Sequence, residues 1–343
     1  MEILDFRSLP DKINNETELE ELLSCPSQDL IEDLAQLEGD IIVLGAGGQV
    51  GPSLARMAKR AAPHKRIIAV SRFSNSAVRE RLESWGVETI VCNLLDNNAV
   101  EQLPKLPNVI YMATKYTAAE KHFNLSNMQY AVEGQEQLMW VTNTYIPALV
   151  AQSFSQSRIV VLSSSVVYPL VSVTSKGLDE NAKTEPLGEY ANSCVGRERI
   201  FQFFSQKFGT PGRLIRFSYA VTLNCKFLFD IACQVRDRQP ISLTTDCGNL
   251  IWQGDATVQI LRSLLHCTTP TSPLNIGGSG LVSVRYVAYE FGKRLGKTPI
   301  FDGEEEPIDL FNSTAVAQSL FGDPVVPVSK MIDWIAHWVT KNQ

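Results

Sequence analysis

The stretch Asp40-Ile-Ile-Val-Leu-Gly45-Ala-Gly47-Gly48-Gln-Val-Gly51-Pro-Ser-Leu-Ala55 decides the fold of this chain. Its apolar run, Ile41 to Leu44, is typical of a parallel strand that is buried on both faces. A glycine-rich turn follows directly, and apolar residues then recur at helical spacing. A strand, a glycine turn and a helix in this order predict a dinucleotide-binding unit.

Each glycine of the turn has a separate physical task. Gly45 permits the tight turn, Gly48 lets the backbone approach a pyrophosphate, and Gly51 allows the helix to pack closely on the strand. The N-terminus of the helix favours the negative charge of the phosphates. Gln49 and Val50 belong to the same turn, and we expect them to line the cofactor site with the glycines.

Length and composition exclude several classes of protein. A chain of 343 residues predicts one large domain or two closely joined ones. The net charge of −6 argues against a dedicated nucleic-acid binder. The seven cysteines are scattered without a Cys-x-x-Cys pair, so we expect neither a metal site nor a disulfide framework. With no signal peptide and no membrane-length apolar run visible, a cytoplasmic protein is expected.

The chain divides into three predicted parts. Residues 1–39 form an N-terminal helical extension, for which packing on the domain is favoured over a dimerisation arm. Strands and helices alternate over 40–218, which predicts an α/β domain with a doubly wound parallel sheet. Residues 219–343, with contributions from about 169–188, are expected to form a smaller substrate-binding lobe.

Several motifs in order carry a resemblance to a known family over about residues 40–300. Leu162-Ser-Ser164-Ser-Val-Val-Tyr168 resembles a strand end that carries a catalytic serine, and Tyr190-Ala-Asn-Ser193 resembles the start of a Tyr-x-x-x-Lys motif. Together with the glycine turn, they make the chain similar to the extended short-chain dehydrogenase/reductases, the NAD(P)-dependent sugar epimerase/dehydratase family. The resemblance implies a Rossmann-type sheet with a smaller C-terminal lobe.

The resemblance also implies roles for individual residues. Tyr190 would be the catalytic acid/base, and Ser164 would bind the substrate oxygen. The residues that would bind the cofactor are Gly45, Gly48, Gln49, Val50, Gly51, Ser71, Arg72, Asn93, Leu94, Met112, Ala113, Thr114 and Tyr190. The implied function is an NAD(P)-dependent oxidoreductase acting on a sugar or nucleotide-sugar derivative. A homodimer through the helices at 129–153 and 190–208 is implied as well.

One position departs from the family pattern. The lysine expected four residues after Tyr190 is Cys194. In the family, this lysine holds the cofactor ribose and lowers the pKa of the tyrosine. A free phenol has a pKa of about 10, so lowering this pKa to about 7 requires roughly 4 kcal/mol. A thiol cannot supply this. Arg197, on roughly the same helix face, is a weak candidate substitute, because a planar guanidinium is not a compact ammonium, and a surface charge is the favoured interpretation.

The end of the second strand indicates the cofactor. Members that prefer NAD place an acidic residue there, whereas an arginine suits the 2′-phosphate of NADP. This chain has Ser71 and Arg72 and no acid, so NADP is slightly favoured over NAD. Asn93 stands where the family has an aspartate near the adenine.

Two alternatives to this enzyme remain open. Cys194, Ser71 and Asn93 together also fit a catalytically silent NAD(P)-binding redox sensor or partner subunit. A weaker alternative is a reductase that uses Lys115 or Tyr116 as its proton donor, although exposed loop residues are favoured at both positions.

Overall fold

The computed structural model describes residues 3–115, 135–224, 226–243, 248–305 and 307–341. In these ranges the strands, in chain order, are β1 (Ile41–Leu44), β2 (Ile67–Ser71), β3 (Glu88–Val91), β4 (Asn108–Tyr111), β5 (Arg158–Ser164), β6 (Val171–Ser172), β7 (Gly212–Phe217), β8 (Tyr219–Val221), β9 (Pro240–Ser242), β10 (Leu250–Trp252), β11 (Ser272–Ile276), β12 (Ile300–Asp302) and β13 (Ile308–Asp309). The α-helices are α1 (Glu16–Leu23), α2 (Gln28–Gln36), α3 (Gly51–Ala61), α4 (Ser76–Ser84), α5 (Asn97–Gln102), α6 (Glu136–Trp140), α7 (Ile146–Ser153), α8 (Gly188–Phe208), α9 (Lys226–Asp237), α10 (Gln253–Arg262), α11 (Val284–Leu295), α12 (Ala315–Phe321) and α13 (Val328–Lys341).

A seven-stranded parallel sheet runs through the described part of the chain in the order β11-β7-β5-β4-β1-β2-β3. Strand β1 pairs with both β2 and β4, so Ile41 lies opposite Ile67 on one side and Asn108 on the other. The chain proceeds outward from β1 in one direction and returns at β4 to build the other half. This reversal opens a crevice at the carboxyl ends of β1 and β4, where ligands bind in such sheets.

Both faces of the sheet are buried. Ile41 and Val43 belong to one hydrophobic cluster, whereas Ile42 and Leu44 belong to the cluster on the opposite face. A strand covered on both sides needs apolar residues at every position, which explains the unbroken apolar run in the sequence.

The predicted doubly wound sheet is confirmed. Six of its strands, β1 to β5 and β7, lie within 40–218, where the sequence predicted alternating strands and helices. The seventh strand, β11, comes from beyond residue 218 and pairs with β7. Short pairs (β8 with β10, β9 with β12 and β6 with β13) build the remaining small sheets. The division into three parts stays a prediction.

The helix predicted over 129–153 is present over 136–153 among its described residues, but it is not a regular α-helix throughout. A π-helical turn, Val141–Tyr145, separates α6 from α7, and residues 129–134 lie outside the described ranges. Pro147 has no backbone N–H to donate to the carbonyl of Asn143, so the α-helical hydrogen-bond pattern cannot continue there.

The N-terminal helices pack on the helices that cover one face of the sheet. Asn15 and Ser27 cap α1 and α2, since each side chain accepts a backbone N–H of its helix at 2.9 and 3.2 Å. Leu34 is buried against the main hydrophobic cluster. The Nε of Arg262 on α10 donates to Asp33 of α2 at 2.7 Å. The extension therefore contacts α3 and α10, away from the crevice.

Asp255 ties the start of α10 to the segment before α13. Its two carboxylate oxygens accept the backbone N–H groups of Val325 and Val326 at 3.0 and 2.9 Å. The side chain is buried, and burial raises the pKa of this carboxyl from 3.8 to about 6, although the two hydrogen bonds oppose the change.

We expect Asp255 to make the fold less stable as the pH rises from about 4 through about 6. In that window the folded chain binds more protons than the unfolded chain, because the folded pKa is about 6 and the unfolded pKa is 3.8. The free energy of unfolding of the wild type minus that of Asp255→Asn should therefore fall by about 1 to 2 kcal/mol between about pH 5 and about pH 7.5.

Urea unfolding at the two pH values measures this difference. The hydrogen bond that asparagine loses is the same at both pH values, so it does not affect the change. A difference that stays constant with pH would show that Asp255 is ionised in the folded protein throughout.

Candidate active site

A cavity of about 690 Å³ opens at the carboxyl ends of β1 and β4. All the residues to which the family resemblance gave a cofactor-binding or catalytic role line it. They come from the glycine turn, the ends of β2, β4 and β5, the segment after β3, and the first turn of α8. The fold thus brings together residues that are up to 145 positions apart, from Gly45 to Tyr190. Their individual roles stay predictions.

The glycines of the turn divide into two kinds. A Cβ on Gly45 would lie 2.6 Å from the backbone nitrogen of Ala113, and one on Gly51 would lie 2.3 Å from the carbonyl oxygen of Ala46. These two glycines are required by the fold itself. A Cβ on Gly48 would have no neighbour closer than 3.9 Å. The empty space at Gly48 faces the cavity and fits a ligand group such as a pyrophosphate.

The charge of the lining is positive. Arg72, Lys115 and Arg197 contribute cations, and no carboxylate occurs among the described residues of the cavity wall. Arg72 follows β2 on the exposed rim, and Ser71 lies so close to the turn that a Cβ on Gly47 would be 2.4 Å from its hydroxyl oxygen. A lining of this composition attracts anionic ligands.

Tyr190 and Ser164 lie on opposite elements of the same cavity. Ser164 is the last residue of β5, and its hydroxyl accepts the backbone N–H of Val166 at 3.4 Å. Tyr190 keeps part of its surface accessible, and its phenol hydrogen-bonds with Thr114 and Cys194.

The surroundings of the Tyr190 phenol oppose its ionisation. Burial raises its pKa well above the usual range, and the neighbouring Cys194 raises it further. Arg197 and the hydrogen bond with Thr114 lower the pKa in the opposite direction. The phenol is therefore a neutral proton donor at physiological pH in the free protein.

Cys194 is a neutral, enclosed thiol. Its side chain is fully buried, and burial raises its pKa above the ordinary value. A thiol with a raised pKa is a poor nucleophile, which agrees with the behaviour of buried cysteines as small hydrophobic residues.

The expectation that Arg197 is a surface charge is wrong. Arg197 is only 2% exposed, and it lies one helical turn beyond Cys194 on the face of α8 that packs against the sheet. Its Nη1 donates to the carbonyl oxygen of Leu162 at 2.8 Å, and its Nη2 donates to the hydroxyl of Thr114 at 2.7 Å. The guanidinium is therefore fixed between the ends of β4 and β5, under the cavity.

Asn143 fixes the segment that follows β4. Its carbonyl oxygen accepts the backbone N–H of Lys115 at 3.0 Å and the hydroxyl of Thr114 at 3.2 Å. Its amide donates to the carbonyl of Lys115 at 3.1 Å and to Ser193 at 2.9 Å. Asn143 is not among the residues that the resemblance implied for the site. Tyr116, the other candidate in this segment, lies outside the described residues.

A buried ion pair that the sequence analysis missed lies below the cavity. Glu198 is fully buried and accepts from Arg216 at 3.1 and 2.8 Å and from the hydroxyl of Ser163 at 2.7 Å. Arg216 also donates to the hydroxyl of Tyr168 at 2.7 Å. The available signal was Arg216, a charged residue among the apolar residues Leu214, Ile215 and Phe217. This network joins α8 to β5 and β7 and so fixes the helix that carries Tyr190.

The model of the NAD dependent epimerase/dehydratase family matches residues 41–256. The chain belongs to this family. The matched segment begins at β1 and extends to the start of α10, so it contains the glycine turn, the sheet up to β7 and the whole of α8. No curated protein matches the sequence.

Solved structures of sugar-nucleotide epimerases share this fold. The UDP-glucuronic acid 4-epimerase from Bacillus cereus in complex with NAD is 16% identical, with a TM-score of 0.69 over 88% of this chain and 99% of that one. The Thermus thermophilus UDP-glucose 4-epimerase complex with NAD is 16% identical, with a TM-score of 0.67 over 87% and 98%. The UDP-Glc/GlcNAc 4-epimerase from Campylobacter jejuni is 14% identical, with a TM-score of 0.69 over 89% and 100%.

The described residues offer neither a membrane span nor a metal site. None of their helices combines the length and the apolar character needed to cross a bilayer. No cluster of three or more histidine, cysteine, aspartate or glutamate side chains among them is suited to holding a metal ion.

Proposed function

We propose that the protein is an NAD(P)-dependent epimerase/dehydratase-like oxidoreductase that acts on a sugar or nucleotide-sugar derivative. The observation that carries this proposal is the cavity that joins the glycine turn to Ser164 and Tyr190. Membership of the family and the shared fold of the UDP-sugar epimerases support the cofactor and the substrate class.

The residues of the cavity fit a dinucleotide. The open space at Gly48 and the N-terminus of α3 suit the pyrophosphate. Ser71 and Arg72 would contact the adenosine ribose, and Asn93 and Leu94 would contact the adenine. Met112, Ala113 and Thr114 would lie beneath the rest of the cofactor, and the cationic, carboxylate-free lining complements its phosphates.

The chemistry divides between the cofactor and two side chains. When bound, NAD(P) would supply the hydride-transfer chemistry at the substrate carbon. Tyr190 would exchange a proton with the substrate hydroxyl, because its phenol reaches the cavity and is protonated in the free protein. Ser164 would hold the same substrate oxygen by a hydrogen bond.

We expect the purified protein to bind NADP(H) with micromolar affinity and NAD(H) less tightly, as measured by calorimetry or by fluorescence of the reduced forms. Gly48→Val should weaken this binding at least about tenfold, since the side chain fills the space kept for the pyrophosphate. It should leave the melting temperature nearly unchanged, because a Cβ there meets no neighbour within 3.9 Å.

Arg72→Ala is the matched test of cofactor choice. It should remove the preference for NADP(H) and leave NAD(H) affinity within about twofold, because the rim of the cavity offers no acidic side chain for the ribose hydroxyls. If no form of the cofactor binds at millimolar concentration, the proposal of an oxidoreductase is refuted.

The second candidate function is a catalytically silent NAD(P)-binding sensor or partner subunit. The fully buried, neutral Cys194 in place of the lysine favours it, together with the raised pKa of Tyr190. This alternative keeps the cofactor and removes turnover.

Tyr190→Phe separates the two candidates. In an enzyme it should lower turnover of UDP-sugars by about 10²- to 10⁴-fold, because the proton donor is lost, and leave NADP(H) affinity nearly unchanged. The measurement is epimerisation or cofactor reduction across a panel of UDP-sugars. A wild-type protein that binds the cofactor but turns over none of the panel would support the sensor. Full activity of the Tyr190→Phe variant would transfer the proton-donor role to another group, such as Lys115.

We propose a homodimer as the assembled form. Helices α6, α7 and α8 pack beside one another. Together with the π-helical turn they expose the large apolar side chains Leu138, Val141, Tyr145, Phe203 and Phe208. Exposed apolar residues on neighbouring elements are typical of a protein interface.

Analytical ultracentrifugation should give about twice the mass of the 38.1 kDa chain. Phe203→Glu, at a position 57% exposed, should shift the protein to monomer. The matched control is Ile300→Glu on β12, which is 46% exposed and lies outside these helices. A wild-type protein that sediments as a monomer at all concentrations would contradict the dimer.

A further inference from the structure

Because position 194 is a cysteine, Tyr190 lacks the positively charged lysine that the family places beside this tyrosine. The structure contains a buried arginine near Tyr190. We propose that Arg197 is a positioning residue that supplies, from beneath the cavity floor, the positive charge that a lysine at position 194 would have supplied to Tyr190. This inference rests on the proposed function, in which Tyr190 exchanges the proton.

The hydrogen bonds of Arg197 leave its charge uncompensated. Its two terminal nitrogens donate to neutral oxygens, those of Leu162 and Thr114, and its Nε has no hydrogen-bond partner. The nearest buried carboxylate, Glu198, is already bound by Arg216 in a two-point ion pair. An unpaired buried cation is unfavourable for the fold. The charge therefore acts on the neighbouring groups of the site.

Geometry directs this charge to Tyr190. Positions 190, 194 and 197 lie on one face of α8, since residues four and three apart are neighbours on a helix. The hydroxyl of Thr114 receives the Nη2 hydrogen bond of Arg197 at 2.7 Å and also hydrogen-bonds with the Tyr190 phenol. Thr114 is therefore a single-residue bridge between the guanidinium and the phenol.

The other titratable groups in this environment do not replace the cation. Tyr190 faces Cys194, whose influence disfavours the phenolate. Arg197 faces Cys194, Tyr111 and Glu198 besides Tyr190. Tyr111 is buried, with its hydroxyl unpartnered, and burial raises its pKa. Arg197 is thus the one of these groups that stabilises an ionised Tyr190.

The test reads the ionisation of residue 190 without cofactor or substrate. Tyr190 is replaced by 2,3,5,6-tetrafluorotyrosine, whose acidified phenol titrates in an accessible pH range, and its ¹⁹F resonance is followed against pH. In this background Arg197→Met should raise the apparent pKa of residue 190 by about 1 to 3, the range expected for removing an adjacent opposite charge.

The matched control removes a charge from the solvent side of the same helix. Arg199 is exposed, so Arg199→Met should change the apparent pKa by much less than Arg197→Met does. Arg197→Lys keeps the positive charge and should restore most of the wild-type value, which a purely structural role would not require.

A second variant tests whether Arg197 replaces the charge of the missing lysine at position 194. Adding Cys194→Lys to Arg197→Met should bring the apparent pKa back to or below the wild-type value. The proposal is overturned if Arg197→Met shifts the pKa no more than Arg199→Met. If the methionine variant does not fold, Arg197→Gln, which removes the charge and keeps a polar side chain, carries the same expectation.

The outcomes separate this inference from the proposed function. The ¹⁹F titration is carried out on the free protein, so a failure to bind NADP(H) leaves its result interpretable. Conversely, normal cofactor binding with no effect of Arg197→Met on the titration would leave the oxidoreductase in place and remove only the role of Arg197.

Discussion

The close approach of backbone segments at the end of β1 is the constraint on which the site depends. Gly45 adopts a φ of +91° and lies against Ala113 at the end of β4, and Gly51 lies against the carbonyl of Ala46. Any side chain at either position would push β4 or α3 away. The crevice between β1 and β4 keeps its shape because these contacts close it from below. Gly48, which nothing crowds, leaves it open above.

Two buried arginines beneath this crevice show opposite uses of charge. Arg216 on β7 forms an ion pair with Glu198 on α8, which also accepts a hydrogen bond from Ser163 on β5. The positive charge of Arg216 is therefore balanced inside the protein, and Arg216 also binds the hydroxyl of Tyr168. Arg197, at 2% exposure, is bound only by neutral oxygens. In a low-dielectric interior an uncompensated charge acts strongly on its neighbours. The first arrangement therefore stabilises the helix that carries Tyr190, and the second acts on Tyr190 itself.

The sequence was sufficient where information is local. The apolar runs predicted the strands, and the glycine spacing predicted the turn. The other residues that line the cavity came from the family resemblance. The sequence was insufficient where the burial of a side chain depends on elements that are distant along the chain. The position of Arg197 on α8 was correct, but its burial is decided by β4 and β5. The joining of β11 to β7 and the ion pair of Glu198 with Arg216 are likewise long-range contacts without a local signal.

The exchange of lysine for cysteine separates two tasks that one side chain performs in the family. A lysine at 194 would hold the cofactor ribose and also act on the tyrosine. Arg197 can act on Tyr190 through Thr114, but both of its terminal nitrogens are bound to protein oxygens, and little of its surface reaches the cavity. The ribose therefore loses a charged partner while the phenol keeps a cation nearby. Such a site would retain proton transfer at the expense of cofactor affinity.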